Sequence, residues 1–364
     1  MAWEEILRHN HPVPVLVVAA LLLAAASDYP QSTVSVGDHR IAFHTMGTQG
    51  PPIVAIPGGP GFAGRSLWSF GYEMQDVARV YLFDQLGTGG SRMKDSHADI
   101  SPRLTLDQTI EDLEALRAKL GHDKWTVFGQ SWGVHVALHY AARHPERVDR
   151  LILASVPGMG SSEYQVFQTN LGAKLPTAVK DRIEDISLDN RLSPDQKREQ
   201  AVFETLPYYF FDPEEGCDFA ALAPAGLFSP RVFATMFRYV NDASLISPLP
   251  DQLKAWKGHA LILQGHQDPT GAAMGYRLRD RFLPSAEVVM FDRAGHFSWM
   301  EEETTDSFFY ILRNWMDLPL RPEYESKNTL TWETALELIQ KRKSDGWPFG
   351  VKQKTPSERS ALNL

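Results

Sequence analysis

The chain has 364 residues, 43% hydrophobic and 22% charged, the composition of an ordinary soluble globular protein long enough for one large domain with an insertion or for two domains. Its net charge of −9, with basic residues that do not cluster, argues against nucleic acid and anionic membrane surfaces as partners. The single cysteine, Cys217, excludes an intramolecular disulfide, and no His or Cys neighbours suggest a metal site around it.

Residues Val13 to Ala26 are almost wholly apolar. Such a run is too short to span a bilayer but suits the hydrophobic region of a secretory signal, and Ala24-Ala25-Ala26 before Ser27 has the small residues of a cleavage site. The leader is less basic than usual, since Glu4 and Glu5 offset Arg8. Residues 1–26 are therefore expected to be a signal peptide and the chain secreted or periplasmic, with no stable membrane insertion after its removal; a cytoplasmic or membrane-anchored chain is the alternative.

Two alternating runs, Thr33 to Val36 and Ile41 to His44, meet at Gly37-Asp38 and predict a hairpin, so the sheet should begin antiparallel. Ile53 to Ile56 reads as a buried strand ending in Pro57-Gly58-Gly59-Pro60-Gly61. Arg79 to Phe83 is another, running into Asp84-Gln85-Leu86-Gly87-Thr88-Gly89-Gly90-Ser91. Thr105 and Gln108 form a capping-box pair opening an amphipathic helix to Leu120, with Gly121 as its stop.

Trp125 to Phe128 reads as a strand and Val134 to Arg143 as a helix, and between them lies Gly129-Gln130-Ser131-Trp132-Gly133. A serine between two glycines at a strand-to-helix turn is a nucleophile elbow: the turn is too tight for flanking side chains, and the serine hydroxyl is pushed clear of the backbone. The helix beginning there aims N–H groups at any oxyanion formed beside it. Leu151 to Ala154 is a further buried strand.

From Pro157 to about Pro250 the strand rhythm gives way to helix-like segments and the aromatic patch Tyr208-Tyr209-Phe210-Phe211. This stretch, 158–250, is expected to be a helical cap over the C-terminal edge of the sheet, where it would line the pocket. Strands resume at Ala260 to Gln264, followed by Gly265-His266-Gln267-Asp268, and at Val288 to Phe291, followed by Arg293-Ala294-Gly295-His296. A helix from Thr304 to Trp315 closes a core made of 27–157 and 251–317. Residues 318–364 read as a polar extension with one helix, Trp332 to Lys343, and no assigned role. Strand, glycine loop and helix in repetition give an α/β class: a mostly parallel sheet with helices on both faces.

A serine hydroxyl needs a base, and the base an orienting acid. Ser131 as nucleophile, His296 as general base and Asp268 as acid satisfy this in the chain order Ser, Asp, His, each at the end of its own strand. Asp292 is the alternate acid. The backbone N–H groups of Gly59 and Trp132 are the expected oxyanion donors, with Gly58 in reserve. Gly59-Pro60-Gly61-Phe62-Ala63-Gly64 also fits a dinucleotide fingerprint with Asp84 about twenty residues on, but two prolines and a further glycine precede any helical pattern. His135 and His139, four apart on the elbow helix, read as packing, with no third ligand in sight. Asp84 is expected to tie the Gly87 to Ser91 loop by hydrogen bonds. No cofactor and no metal are expected.

Together these residues resemble the α/β-hydrolase superfamily and, more narrowly, the prolyl aminopeptidase (proline iminopeptidase) family of serine peptidases. Pro57 to Gly61 is similar to that family's His-Gly-Gly-Pro-Gly loop, Asp84 to Ser91 to its Asp-Gln-Arg-Gly-x-Gly-x-Ser, and Gly129 to Gly133 to its Gly-x-Ser-Trp-Gly elbow. Pro57, Leu86 and Val134 depart from the family's histidine, arginine and third glycine, and the cap lacks its Trp-x-x-Trp-Glu segment. The resemblance implies an α/β-hydrolase fold with an inserted helical cap, and a serine hydrolase that acts through an acyl-enzyme and releases N-terminal proline or another small residue from peptides. A carboxylic-ester or amide hydrolase of small acyl substrates is the alternative, and a non-catalytic binding module a third reading. An aminopeptidase needs a cap carboxylate to meet the substrate ammonium, which is costly to bury without a counter-charge. Glu163, Glu204, Asp212, Glu214, Glu215 and Asp242 are available, with Glu204, just ahead of the aromatic patch, the favoured substrate-binding residue.

Overall fold

The computed structural model describes residues 31–95 and 97–320. The expected signal peptide and the helix expected at Trp332 to Lys343 lie outside the described residues.

Among the described residues nine strands form one sheet: β1 (Gln31–Val36), β2 (His39–Met46), β3 (Pro52–Ile56), β4 (Arg79–Phe83), β5 (Arg92–Met93), β6 (Trp125–Gln130), β7 (Val148–Ala154), β8 (His259–Gly265) and β9 (Glu287–Phe291). Their spatial order is β1-β2-β4-β3-β6-β7-β8-β9, with β5 paired to β2. The β1–β2 hairpin turns at Gly37-Asp38, and β2 pairs antiparallel to β4; every pairing from β4 through β9 is parallel. The C-terminal ends of β3, β4 and β6 to β9 therefore share one edge. Between β3 and β6 the strand order reverses direction, the switch point at which open parallel sheets leave a crevice. Strand β5 has only two residues, too few to show a pattern in the sequence.

The helices flanking the core are α1 (Trp68–Met74), α2 (Leu106–Lys119) and α3 (Trp132–Arg143). The insertion between β7 and β8 contributes α4 (Ser161–Lys174), α5 (Thr177–Leu188), α6 (Pro194–Thr205), α7 (Pro213–Leu222) and α8 (Pro230–Met236); α9 (Met274–Phe282) and α10 (Thr305–Trp315) follow. Only half of the capping box at α2 forms: the Thr105 side chain accepts from the Gln108 N–H, while the Gln108 amide donates to Asp112 at 3.0 Å instead. After α8, short helical turns continue to Ala255, and Ile246, Leu249, Leu253 and Trp256 are buried in the same cluster as α3. The expected cap boundary at 250 thus falls inside one continuously packed segment.

Alternate residues of each central strand face opposite sides of the sheet. Val127 joins the cluster under α2 and α3, whereas Phe128 stacks on Phe70 of α1 at 3.9 Å and meets Trp299 edge-on at 6.1 Å. Because Phe128 is fully buried and its neighbours are rigid rings, Phe128→Ala should cost about 3–5 kcal/mol, read as a lower denaturant midpoint at unchanged slope. Among the described residues no helix is long and apolar enough to cross a membrane.

Candidate active site

Ser131 sits between β6 and α3 with φ 53° and ψ −118°, a backbone conformation rare for a residue with a side chain. Its N–H is held by the Ala154 carbonyl at 3.0 Å. The two flanking glycines are required by contact as well as by turn geometry. A Cβ on Gly129 would strike the Gly133 carbonyl, and one on Gly133 would strike the Ile56 carbonyl at the end of β3. The Pro57 to Gly61 loop passes directly beside the serine: a Cβ on Gly58 would lie 2.9 Å from that of Ser131. Gly59, at φ 115°, and Trp132, the first residue of α3, line the same cavity as Ser131. The Trp132 indole is fixed by donating to Gln85 Oε1 at 3.1 Å.

His296 and Asp268 are both 3% exposed, and His296 Nδ1 lies 2.9 Å from each carboxylate oxygen of Asp268. Asp268 also accepts from the Gln264 amide at 2.9 Å and from the Thr270 N–H at 2.8 Å, so its carboxylate is held from three sides. Asp292, the alternate acid, is on the surface and pairs with His266. His296 lines the cavity with Ser131. The structure thus brings together all five residues expected from sequence as triad and oxyanion donors.

The helical insertion grips this machinery through backbone bonds. The Gly loop is tied by Ala63 N–H to the Leu227 carbonyl and by Ser229 N–H to the Gly61 carbonyl, each at 2.8 Å. The aromatic patch clamps the histidine loop: His296 N–H donates to the Tyr209 carbonyl at 2.7 Å, the Tyr209 ring meets the His296 ring edge-on at 5.4 Å, and Phe210 stacks on Phe297 at 4.8 Å. Buried Glu301 completes the clamp, accepting from the Gly295 N–H at 2.7 Å and the Phe211 N–H at 3.0 Å. Lys174 of α4 donates to the Phe210 carbonyl at 2.7 Å and to the Gln267 carbonyl, beside the acid, at 3.3 Å. Neither residue stands out in the sequence. Glu301 is one of three consecutive glutamates, and Lys174 ends a helix without apolar patterning.

Glu204 is not in the site. It pairs with Arg182 at 2.9 Å, while the cavity is lined by Val202 of α6 and by Leu206 just past the end of that helix. The other cap carboxylates are also elsewhere. Asp212 caps α7, Asp242 accepts from the Ser244 N–H, Glu163 lies 3.8 Å from Arg277, and Glu215 accepts from the Glu302 N–H. None lines the cavity, nor does Glu214. Burial, and then the neighbouring Glu301, push the Glu215 carboxyl up to about 8; burial likewise raises Glu301 to about 7, against its two backbone donors and Lys174.

His135 and His139 are buried and held neutral, burial lowering them to about 3 and about 4. Among the described residues no group of three or more His, Cys, Asp or Glu could hold a metal ion. Asp84 accepts from the Gly64 and Gly90 N–H groups at 2.7 and 2.8 Å, so it ties two loops together at the end of β4. Gly64, the last glycine of the apparent dinucleotide fingerprint, is consumed in that contact.

The cavity itself measures about 150 Å3, and among the described residues it is walled by ten aromatic side chains, Phe62, Tyr164, Phe167, Phe233 and Phe237 among them, and by no carboxylate, lysine or arginine. Its polar atoms are those of Ser66, Gln130, Thr270 and the residues already named.

The family profile described as the alpha/beta hydrolase fold matches residues 51–303, which contain Ser131, Asp268 and His296. The proline iminopeptidase of Xylella fastidiosa is 38% identical over 120 residues, 33% of this chain and 37% of that protein. The chain thus aligns with little more than a third of such relatives at that identity. The proline iminopeptidase of Lactobacillus helveticus is 26% identical over 281 residues, 73% of this chain and 90% of its own length. Among solved structures, an esterase from Exiguobacterium antarcticum superposes with a TM-score of 0.59 at 17% identity, covering 79% of this chain and all of the esterase. A thermophilic esterase from Thermogutta terrifontis gives 0.57 at 20%, covering 79% and 98%. At such identity the superpositions speak for the fold alone. The profile match, the sheet order with helices on both faces and these neighbours agree: the chain belongs to the alpha/beta hydrolase fold family.

Proposed function

We propose that the chain is a serine hydrolase that works through an acyl-enzyme on carboxylic esters or unhindered amides of bulky apolar acids. The observation that carries this is the wall of the cavity around Ser131, ten aromatic rings without one carboxylate. Apolar surface enters such a cavity readily, whereas an ammonium would be stripped of water with no counter-charge to meet it. In this reading His296 takes the Ser131 proton as the hydroxyl attacks the carbonyl carbon. Asp268 holds the imidazole with its proton on Nδ1, and the N–H groups of Trp132 and Gly59 receive the developing oxyanion. His296 then protonates the leaving group, and a water activated by the same imidazole releases the acid.

A second reading, release of N-terminal proline or another small residue, is favoured by the relatives named proline iminopeptidase, above all the one aligned along most of both chains. One panel separates the two. Turnover of p-nitrophenyl esters of phenylpropanoic and branched-chain acids should exceed that of prolyl-, alanyl- and leucyl-arylamides by at least about a hundredfold in kcat/KM, since an unpaired buried charge costs several kcal/mol. Arylamide turnover that matches the esters, and that disappears when the α-amine is blocked, would establish the aminopeptidase instead.

A further inference from the structure

The mechanism leaves one polar side chain beside the nucleophile without a task. Gln130, the residue before Ser131, is 3% exposed and lines the cavity. A Cβ placed on Gly58 would lie 2.4 Å from Gln130 Oε1 and 2.9 Å from Ser131 Cβ, so the carboxamide and the serine side chain flank the same point of the oxyanion loop. The carboxamide makes no hydrogen bond to any described residue. Nor do its oxygen and nitrogen belong to the sealed, unpartnered atoms of the interior, such as Gln85 Nε2. Both atoms are therefore open to the cavity that the residue lines.

The fold supplies a second such group on the same side. Gln130 ends β6 two residues after Phe128, so the two share the face of the sheet that α1 covers. A single helical turn, Gly64–Leu67, leads into α1, and Ser66 on that turn precedes Phe70, the partner of Phe128, by four residues. As the crossover between the parallel strands β3 and β4, α1 runs against them, which places Ser66 at the edge where β6 ends. Ser66 lines the cavity, is 9% exposed, and its hydroxyl makes no hydrogen bond to a described residue. Carboxamide and hydroxyl together give the aromatic wall an uncharged corner that both donates and accepts. An apolar ligand filling the cavity strips water from this corner and returns nothing, whereas a ligand with a matching polar group restores the lost bonds.

We infer that Gln130, with Ser66 beside it, is a specificity-determining residue that selects apolar acids carrying an uncharged hydrogen-bonding group, a hydroxyl or an acylated amine, on the carbon next to the scissile carbonyl. That position follows from the carboxamide flanking the Ser131 side chain, where it meets the atoms nearest the bond to be broken. The inference rests on the ester-hydrolase reading of the same cavity and deepens it: the aromatic wall takes the body of the acid, and the Gln130 corner supplies the directional contact.

The test uses binding, so that it does not depend on turnover. The Ser131→Ala protein is titrated with methyl 3-phenylpropanoate, its 2-hydroxy counterpart and N-acetylphenylalanine methyl ester, and the series is repeated in a Ser131→Ala, Gln130→Leu protein. We expect the hydroxy or acetylamino ester to bind about tenfold more tightly than the plain ester, and the preference to vanish with Gln130→Leu. Which of the two gains identifies the group that is read. A contact from Gln130 to the ester carbonyl would serve all three alike, so equal binding before Gln130 is changed overturns the proposal, as does a preference that survives Gln130→Leu. Should Gln130→Leu fail to fold, the side-chain amide 15N and 1H resonances of Gln130 in the Ser131→Ala protein serve in its place. They should move further on saturation with the preferred ester than with the plain one, and equal shifts also overturn the proposal. A failed ester panel, by contrast, would remove the ester-hydrolase reading while leaving this binding result to stand or fall alone.

Discussion

Asp268→Asn is expected to lower kcat by about four orders of magnitude while KM changes little, the scale found when the acid of other serine hydrolase triads is neutralised. The reason lies in the two 2.9 Å contacts between Asp268 and His296 Nδ1. An asparagine amide would donate where the carboxylate accepts, turn the imidazole to the tautomer with its proton toward Ser131, and leave the base without a lone pair to receive the serine proton. Ser131→Ala should cost more, about 10⁶ in kcat, and the Ser131→Ala, Asp268→Asn double variant should be no slower than Ser131→Ala alone, because the residues act as one unit. Asp292→Asn is the control: its carboxylate belongs to an exposed pair with His266, and turnover should stay within about twofold of the parent. Single-turnover and steady-state rates on one activated ester check all four proteins. If Asp268→Asn keeps more than a tenth of the activity, or if Asp292→Asn proves the more damaging change, the proposed triad is wrong.

Removing Glu301 should be the most damaging change outside the triad. Its two oxygens receive the Gly295 and Phe211 N–H groups, both inside the protein. Glu301→Ala leaves those donors without an acceptor at about 1–3 kcal/mol each, and it unfastens the histidine loop from the aromatic patch. A displacement of His296 by 1 Å is worth about a hundredfold in rate. The expected result is therefore a lower melting temperature together with a kcat loss of about 10–100-fold. A stable variant with full activity would show that the clamp is dispensable.

The same pair gives the pH dependence of stability. Glu301 and Glu215 both have carboxyl pKa values raised by burial, to about 7 and about 8. A carboxyl whose pKa is higher in the folded chain stabilises the fold fully below its ordinary range, and that contribution is lost as pH rises through the folded value. The melting temperature should therefore fall between pH 5 and pH 9. Glu215→Gln, which keeps an oxygen to accept the Glu302 N–H, should flatten the decline, with its advantage over the parent growing from about pH 5 to about pH 8 and levelling off above it. An advantage independent of pH would mean that Glu215 does not titrate in that range.

The strands, the elbow and the chain order Ser131, Asp268, His296 were legible in the linear sequence because each depends on neighbours in the chain. Apolar runs identify buried strands, and the glycines at 129 and 133 announce a turn that no other residue could enter without striking a carbonyl. The choice of Asp268 over Asp292 already leaned on distance along the chain, and the structure shows which of them His296 faces. The cap was another matter. Its helices α4 to α8 are poorly patterned and carry few buried residues, so the sequence supplied six carboxylates and no means to choose among them. Only the tertiary structure turned Glu204 toward Arg182 and put Val202 and Leu206 against the cavity, since which face of a helix meets a pocket is decided by what the whole helix packs on. The same holds for Glu301 and Gln130, one among consecutive glutamates and the other inside the elbow: a hydrogen bond made to a loop ninety residues away, or one left unmade beside Ser131, has no trace in local sequence.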